Sequence, residues 1–191
     1  INNIKKKYKK FCLICTCFTS INHYDKNVNV VETLKARNTL RSKKSISNFI
    51  SYQDVKRKTL NEFLIFIDEY AQNNPKINIV IRPHPGESNA PYNPLRKKYK
   101  NVFISKAYSV HSWISASQFI LHHYCTTSIE ALALDTPSYS IRPESFKNGE
   151  YEFPFNCSNC FKSGREMVNA LSKYGIQKKN VEKSGYKKYV L

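Results

Sequence analysis

Glycine is scarce in this sequence: five of its 191 residues are glycine, and none of them forms a G-x-G-x-x-G or P-loop pattern. Those patterns bring backbone amides against the phosphates of dinucleotides and nucleoside triphosphates, so the ordinary dinucleotide-binding and kinase glycine motifs are excluded. The sequence also lacks the roughly 20 consecutive apolar residues of a membrane-spanning helix. Its hydrophobic (41%) and aromatic (13%) contents are those of a globular domain.

Acidic residues are also few, with 14 Asp and Glu against 31 Lys and Arg and a formal net charge of +17. The excess lies in basic runs at residues 5–10, 96–100, 178–179 and 187–188. Such runs are either solvated faces or attract an anionic partner, such as nucleotide phosphates, a lipid-linked acceptor, a membrane surface or nucleic acid. Nucleic acid is not favoured, because no RNA-recognition, zinc-finger or helix-turn-helix pattern accompanies the charge.

Six cysteines include two pairs with the spacing of metal ligands, Cys12 with Cys15 and Cys157 with Cys160. In a strand, Cys12 faces away from Cys15 and Cys17, so buried free thiols explain this group better than zinc does. The polar loop that holds Cys157 and Cys160 is the one place where a zinc site stays plausible. We predict no cofactor and no metal.

Hydrophobic periodicity predicts an alternation of strands and helices along the chain. Strands are predicted at 10–18, 77–81, 101–105, 118–123 and 137–143, and helices near 29–40, from 51 to about 73, and at 93–99, 109–117, 126–135 and 164–174. This alternation predicts an α/β domain with a parallel sheet and helices on both faces. In such domains ligands bind outside the carboxyl ends of the strands.

Two predicted strand ends carry side chains that can hold an anion. Arg82 and His84 follow the strand at 77–81, and Pro83 and Pro85 restrict the backbone on both sides of this histidine. His123 lies at the end of the strand at 118–123.

The residues that follow His123 place Thr126, Thr127 and Ser128 in the first turn of a predicted helix. Hydroxyls and free backbone amides at such a turn can bind an anion with help from the helix dipole. Thr127 and Glu130 also have the spacing of a capping box, which needs no ligand. Both interpretations stay open at this point.

"RPHP" (82–85) followed by "HHYCTTSIEALALDTPSYS" (122–140), with Trp113-Ile114 just before the second block, resembles the bacterial surface carbohydrate biosynthesis proteins. More widely, the pair is similar to the carboxyl-terminal half of GT-B glycosyltransferases that use CMP-activated sugars, such as capsule Kdo transferases and bacterial sialyltransferases. Polymerases that use CDP-glycerol share this style of motif. The resemblance covers roughly residues 10–145.

The resemblance implies a Rossmann-like, mostly parallel sheet with helices on both faces, forming one half of a GT-B architecture. We expect residues 1–191 to form a single nucleotide-sugar-binding domain, with a core at about 10–145 and a helical extension at 146–191. The chain starts with Ile1 near the first strand of that half, so the amino-terminal acceptor domain is expected to be missing from it. The implied location is cytoplasmic, with peripheral contact at the inner face of the membrane.

The resemblance also implies roles for residues. His84 would contact the phosphate of a CMP-sugar or CDP-linked donor, the hydroxyls of the second motif would hold it from the other side, and Arg82 would add charge. The candidate donor-binding residues are Arg82, His84, Pro85, His123, Thr126, Thr127, Ser128 and Glu130. The acceptor would be lipid-linked or a saccharide. The general base is unassigned and expected in the missing half.

One residue departs from the family pattern: Asp135 stands where a glycine usually ends the second-motif helix, so it must itself adopt the helix-ending conformation. Two alternatives to the glycosyltransferase hypothesis stay open. The first is a sugar-nucleotide enzyme related to the UDP-N-acetylglucosamine 2-epimerases, and the second is a basic nucleic-acid-binding module.

Overall fold

The computed structural model describes residues 1–146 and 152–179 of the chain. Its strands are β1 (Phe11–Cys15), β2 (Asn78–Arg82), β3 (Val102–Ile104), β4 (Ile120–His122), β5 (Ser138–Ile141) and β6 (Asn159–Phe161). They form one sheet in the order β3-β2-β1-β4-β5-β6, and each neighbouring pair is parallel. The predicted α/β class with a parallel sheet is confirmed.

Helices connect successive strands of this sheet. They are α1 (Asn2–Tyr8), α2 (Val30–Ala36), α3 (Lys43–Asn73), α4 (Asn93–Lys98), α5 (Val110–Ala116), α6 (Thr127–Ala133), α7 (Glu152–Asn156) and α8 (Gly164–Tyr174). Parallel neighbours require a crossover connection, and α2 to α7 lie in these connections between each strand and the next, while α8 follows β6. The lysine-rich helix α1 precedes the sheet and was not predicted from the sequence.

The side chains of β1 divide the core into two layers, one on each face of the sheet. Cys12 and Ile14 belong to the layer packed against α3 and α8, whereas Phe11, Leu13 and Cys15 belong to the layer packed against α1 and α5. Alternate residues of a strand point to opposite faces, so this run of five buried residues serves both layers. The predicted helices on both faces are therefore present, and Cys12 does face away from Cys15.

Helix α3 begins at Lys43, eight residues before the predicted start at residue 51. The Ser42 hydroxyl accepts the backbone N–H of Ser45 at 3.1 Å, and the Ser45 hydroxyl accepts the N–H of Ser42 at 3.0 Å. This reciprocal capping satisfies two amide donors that the first turn would otherwise leave without partners. The predicted start was too late, because Ile46, Phe49 and Ile50 already follow the helical spacing in the first two turns.

The segment after the predicted core contributes to the sheet. Residues 146–191 were predicted to be a helical extension, but β6 within this segment pairs with β5. Helix α8, capped by Ser163 as predicted, packs on α3 at Gly164, where an added Cβ would lie 2.3 Å from the Glu62 carbonyl oxygen. Met167 of α8 is fully buried in the core layer of α3. Residues 147–151 and 180–191 of the predicted extension lie outside the described residues.

The two ends of α6 bear on two of the predictions made from the sequence. The predicted capping box is not formed: Thr126, not Thr127, is the N-cap residue, and its side chain makes no capping hydrogen bond. Asp135 has φ = 54°, so it adopts the left-handed conformation predicted for it, and its carboxylate pairs with Lys178.

Across residues 1–146 and 152–179, no helix combines the length and hydropathy needed to cross a membrane.

Candidate functional site

The strand order reverses direction at β1, which lies between β2 and β4. Open parallel sheets bind ligands in the crevice outside the carboxyl ends of the strands at such a reversal. The segment that leaves β1 here carries Thr16, Cys17, Thr19 and Ser20, and the segment that leaves β2 carries His84.

A cleft of about 570 Å³ opens at this position. His84, Thr19, Ser20, Lys56 and Arg37 provide its polar and cationic lining. The other lining residues are Cys17, His23, Val28, Val30, Thr33, Leu34 and Phe49. Two cations, three hydroxyls and two imidazoles suit an anionic group, and the apolar side chains suit a ring system attached to it.

The His84 ring is fixed by two hydrogen-bond contacts of its Nδ1 atom. The backbone N–H of Gly86 donates to Nδ1 at 3.2 Å, and the Thr19 hydroxyl lies 3.1 Å from the same atom. Because Nδ1 accepts the amide hydrogen, the neutral ring carries its proton on Nε2, which makes Nε2–H the donor available to a ligand. A side chain on Gly86 would place its Cβ 2.9 Å from Thr19 Cγ2, so glycine permits this close approach.

Glu87, whose side chain is buried, joins the segment after β1 to the segment after β2. Its carboxylate accepts the Phe18 backbone N–H at 2.8 Å, the Thr16 hydroxyl at 3.0 and 3.1 Å, and the Tyr92 hydroxyl at 3.0 Å. A buried carboxylate with several donors is held in one position. Glu87 therefore fixes the position of His84 relative to Thr19, and it is not placed as a general base.

Hydrogen bonds at Arg82 and at the Pro85 carbonyl hold the segment around His84 in place. The Arg82 guanidinium donates to the carbonyl oxygens of Ala107 and Tyr108, each at 2.8 Å. Lys106 donates to the carbonyl oxygens of Pro85 at 3.2 Å and of Glu87 at 2.9 Å. Arg82 thus holds the β3–α5 connection through backbone contacts.

His123 lies at the end of β4 and is fully buried. Its ring stacks on Phe18 with centroids 5.2 Å apart, and neither ring nitrogen has a hydrogen-bond partner among the described residues. Burial first, and then the electrostatic influence of Lys56, His122 and Arg142, lowers the pKa of His123 well below its ordinary value. The ring is therefore neutral and supports Phe18 by packing.

The turn before α6 holds its hydroxyls close to the sheet. The Ser128 hydroxyl donates to the Cys125 carbonyl oxygen at 3.1 Å. The Thr127 hydroxyl is buried near the Cys15 thiol and has no hydrogen bond of ordinary geometry. The carboxylate of Glu130 lies 3.3 Å from His111 Nε2, on the side of α5. Of the three predicted hydroxyls, Thr126 precedes the helix and is the most exposed.

Of the predicted site residues, His84 lines the cleft, whereas Arg82, Pro85, His123 and the residues of the turn before α6 are not among its lining residues. Cys17 lines the cleft that contains His84, and burial raises the pKa of its thiol, an effect opposed by Lys56 and increased by Cys125. Cys125 immediately precedes Thr126, so the turn before α6 starts beside the wall of the cleft. No group of three or more His, Cys, Asp or Glu residues in the described part of the chain is arranged as a metal site.

The most informative cleft residue that the sequence analysis missed is Lys56, a buried lysine of α3. Its ammonium group donates to the Cys17 carbonyl oxygen at 2.9 Å. Lys56 precedes Phe63 and Phe66 by seven and ten residues, so it lies in the same helical stripe as these core residues. A lysine that falls on the apolar face of a predicted helix was the signal in the sequence that could have identified this residue.

A second cavity, of about 630 Å³, lies beside β6 and is lined by Tyr139, Phe161, Leu171, Tyr174 and Lys179 among others. It is slightly larger than the cleft at β1, but it lies along an edge strand. The cleft at β1 combines the reversal of strand order with Lys56, Arg37 and His84, and we therefore treat it as the functional site.

The fold is a Rossmann-like α/β domain with an open six-stranded parallel sheet. No family model matches the sequence, and no curated protein matches it. Among solved structures, the chain is similar to S. aureus MnaA, solved with UDP, with a TM-score of 0.52 and 14% identity over 90% of this chain and 39% of that one.

Two further similar structures are UDP-GlcNAc 2-epimerases. The Neisseria meningitidis enzyme, bound to UDP-GlcNAc, has a TM-score of 0.50 and 13% identity over 90% of this chain and 39% of its own. The Methanocaldococcus jannaschii enzyme, in complex with UDP-GlcNAc and UDP, has a TM-score of 0.50 and 13% identity over 94% of this chain and 42% of its own. The chain thus spans about two fifths of the length of these proteins, and the likeness concerns the fold alone.

Proposed function

We propose that this chain is a nucleotide-sugar-binding domain that holds the phosphate of its ligand in the cleft at β1. The observation that carries the proposal is the fixed His84 ring, which lines a cleft together with Lys56 and Arg37 at the carboxyl end of β1. Similar solved structures contain UDP or UDP-GlcNAc, which supports this class of ligand.

Within this proposal, His84 Nε2–H and the Lys56 ammonium contact phosphate oxygens, and the Thr19 hydroxyl holds the His84 ring through Nδ1. Thr126, the exposed hydroxyl of the turn before α6, approaches from the other side, and the buried Thr127 and Ser128, with Glu130, shape that turn. Arg82, Pro85 and His123 keep the two segments in place. When the bond between sugar and phosphate breaks, negative charge grows on the phosphate, and these donors and cations stabilise it.

For the reaction, we propose sugar transfer from a CMP-activated donor in the assembly of a bacterial surface polysaccharide. This proposal rests on the "RPHP" and "TTS" motifs and on their order. The residues that line the described cleft include no carboxylate, so a general base would come from another part of the protein. The acceptor is then a saccharide or lipid-linked saccharide.

A second candidate is a UDP-sugar enzyme of the 2-epimerase kind. It is favoured by the fold comparison, since the two structures with TM-scores of 0.50 described above are 2-epimerases with UDP-GlcNAc. The two candidates differ in the base that the cleft accepts, cytosine or uracil.

Thermal unfolding of the 191-residue chain with CMP, UMP, UDP, UDP-GlcNAc or AMP separates the candidates. A ligand at a hundred times its dissociation constant adds about 2.7 kcal/mol to the free energy of unfolding. Preferential stabilisation by CMP supports the glycosyltransferase, and preferential stabilisation by UDP and UDP-GlcNAc supports the epimerase-like enzyme. Equal and negligible shifts with all five compounds would overturn the proposed function.

A further inference from the structure

The amino edge of the sheet carries a cationic surface on the side opposite to the cleft. It is formed by α1, by the segment before β2, and by α4 with the segment before β3. Its basic residues are Lys5, Lys6, Lys7, Lys9, Lys10, Lys76, Arg96, Lys97, Lys98 and Lys100, all of them exposed. We call this set the amino-edge surface.

Hydrogen bonds hold these segments side by side. The Asn78 backbone N–H donates to the Lys10 carbonyl oxygen at 2.9 Å, and the Asn78 side chain donates to the Tyr8 carbonyl oxygen at 2.7 Å. The buried Asn101 side chain donates to the carbonyl oxygens of Asn74 at 3.2 Å and Ile77 at 3.0 Å. The lysines therefore project from one ordered surface.

The charge of this surface is almost uncompensated. Residues 1–10, 71–80 and 91–105 contain no Asp or Glu at all. Within the described residues, the recorded ion pair on this surface joins Lys98 to Asp68 at 2.8 Å. Uniform charge on adjacent segments creates a potential that attracts an extended anionic partner.

The chemistry of the surface favours lipid headgroups over nucleic acid. Nine of its ten basic residues are lysines, whose point charges suit diffuse attraction, whereas phosphate and base recognition in nucleic acids favours the planar guanidinium of arginine. Single-stranded nucleic acid also requires exposed aromatic rings for stacking. The Tyr8 ring on this surface is buried against Phe103 and Trp113, with centroids 5.3 and 5.1 Å away, and the Tyr99 ring is partly buried against the core.

We propose that the amino-edge surface binds the headgroups of an anionic lipid bilayer. The five-residue β1 separates this surface from the cleft by about 17 Å, so binding to lipid and binding of a small ligand in the cleft are independent. The proposal therefore does not depend on the proposed function.

The test is co-sedimentation of the 191-residue chain with vesicles of phosphatidylcholine alone or mixed with phosphatidylserine. The test variant replaces Lys6, Lys10, Lys76 and Lys100 with Gln. The matched control replaces Lys26, Lys43, Lys44 and Lys162 with Gln, which removes the same charge from the opposite edge. Each lysine near an anionic bilayer is worth about fivefold in binding, so the test variant should bind at least about tenfold more weakly.

The expected result is binding to the mixed vesicles alone, weakened by salt, little affected by inorganic phosphate at matched ionic strength, and retained by the control variant. Equal weakening in both variants would overturn the proposal, because net charge and not this surface would then be responsible. Failure to bind mixed vesicles would overturn it as well. Displacement from vesicles by single- or double-stranded DNA at low concentration would identify the surface as a nucleic-acid site and overturn the lipid assignment.

Discussion

Glu87 accepts the backbone N–H of Phe18 at 2.8 Å, across 69 residues of sequence. This bond joins the segment that leaves β1 to the segment that leaves β2. As a result, Thr19 and His84 reach the same cleft in a fixed relation, although neither belongs to a strand or helix.

Replacing Glu87 with Gln should lower the free energy of unfolding by about 1–3 kcal/mol, because an amide NH₂ would then face the Thr16 or Tyr92 hydroxyl. Urea denaturation measures the change. Tyr92→Phe removes one of these bonds and keeps the carboxylate, so its loss should be smaller. Wild-type stability in the Glu87→Gln variant would show that the carboxylate is not needed to hold the two segments.

Replacing His84 with Ala should weaken nucleotide binding by about 1.5–3 kcal/mol, the range for a hydrogen bond to a charged group. The melting temperature without ligand should change little, because the His84 side chain is exposed. His84→Gln retains an N–H donor near the position of Nε2 and should recover part of the affinity. A variant that unfolds readily, yet binds nucleotide like the parent when folded, would make His84 a structural residue.

Replacing Lys56 with Met should reduce affinity for phosphate-bearing ligands by at least about tenfold, because the charge is removed from a buried wall of the cleft where water screens it weakly. Lys58→Met is the matched control, since Lys58 is exposed and pairs with Glu144 at 2.6 Å. Calorimetric titration with the nucleotide identified by thermal unfolding provides the measurement. Equal affinity in the Lys56 variant and the parent would contradict a role in phosphate binding.

Acid should destabilise the fold through His122 and His123. Burial lowers the pKa of His122 from 6.5 to about 3, and it lowers the pKa of His123 as well. Below about pH 6.5 the unfolded chain binds protons that the folded chain does not, so stability falls as pH falls, and for His122 this continues to about pH 3 at up to about 1.4 kcal/mol per pH unit. Above pH 6.5 both states are neutral and this contribution is constant.

The measurement is the free energy of unfolding by urea from pH 7 to the lowest pH at which the chain stays folded. His123→Phe keeps the aromatic contact with Phe18 and removes the titrating group, so its pH dependence should be shallower than that of the parent. An unchanged slope would show that His123 does not contribute to acid sensitivity.

The sheet could be predicted from the sequence because its strands are short apolar runs between turn residues. Residues 77–81, for example, were predicted as a strand and the structure has Asn78–Arg82. Both ends of the helix at 164–174 were predicted, because Ser163 is a typical N-cap residue and Gly175 a typical helix-ending residue. Helix α1 was missed because its buried face consists of Ile4 and Tyr8 alone, which is too few apolar residues to give a periodic pattern among the lysines.

The cleft was only partly predictable. The position of His84 at a strand end followed from local sequence, but its contact with Thr19 spans 65 residues, and the supporting bond from Phe18 to Glu87 spans 69. Burial of His123 likewise depends on Phe18, Phe63 and Phe155 from three distant segments. No spacing rule in a single sequence reports such long-range contacts.

The close contact between Gly164 and the backbone of α3 limits how far the chain can be shortened at its carboxyl end and still fold. A chain ended at residue 145, where the recognisable motifs stop, would lose β6 and leave β5 as a bare edge whose amides and carbonyls can pair with another molecule. It would also uncover the face of α3 that Met167 and Leu171 cover. Aggregation of that shortened chain is the expected result, so the folding unit is longer than the unit of sequence resemblance.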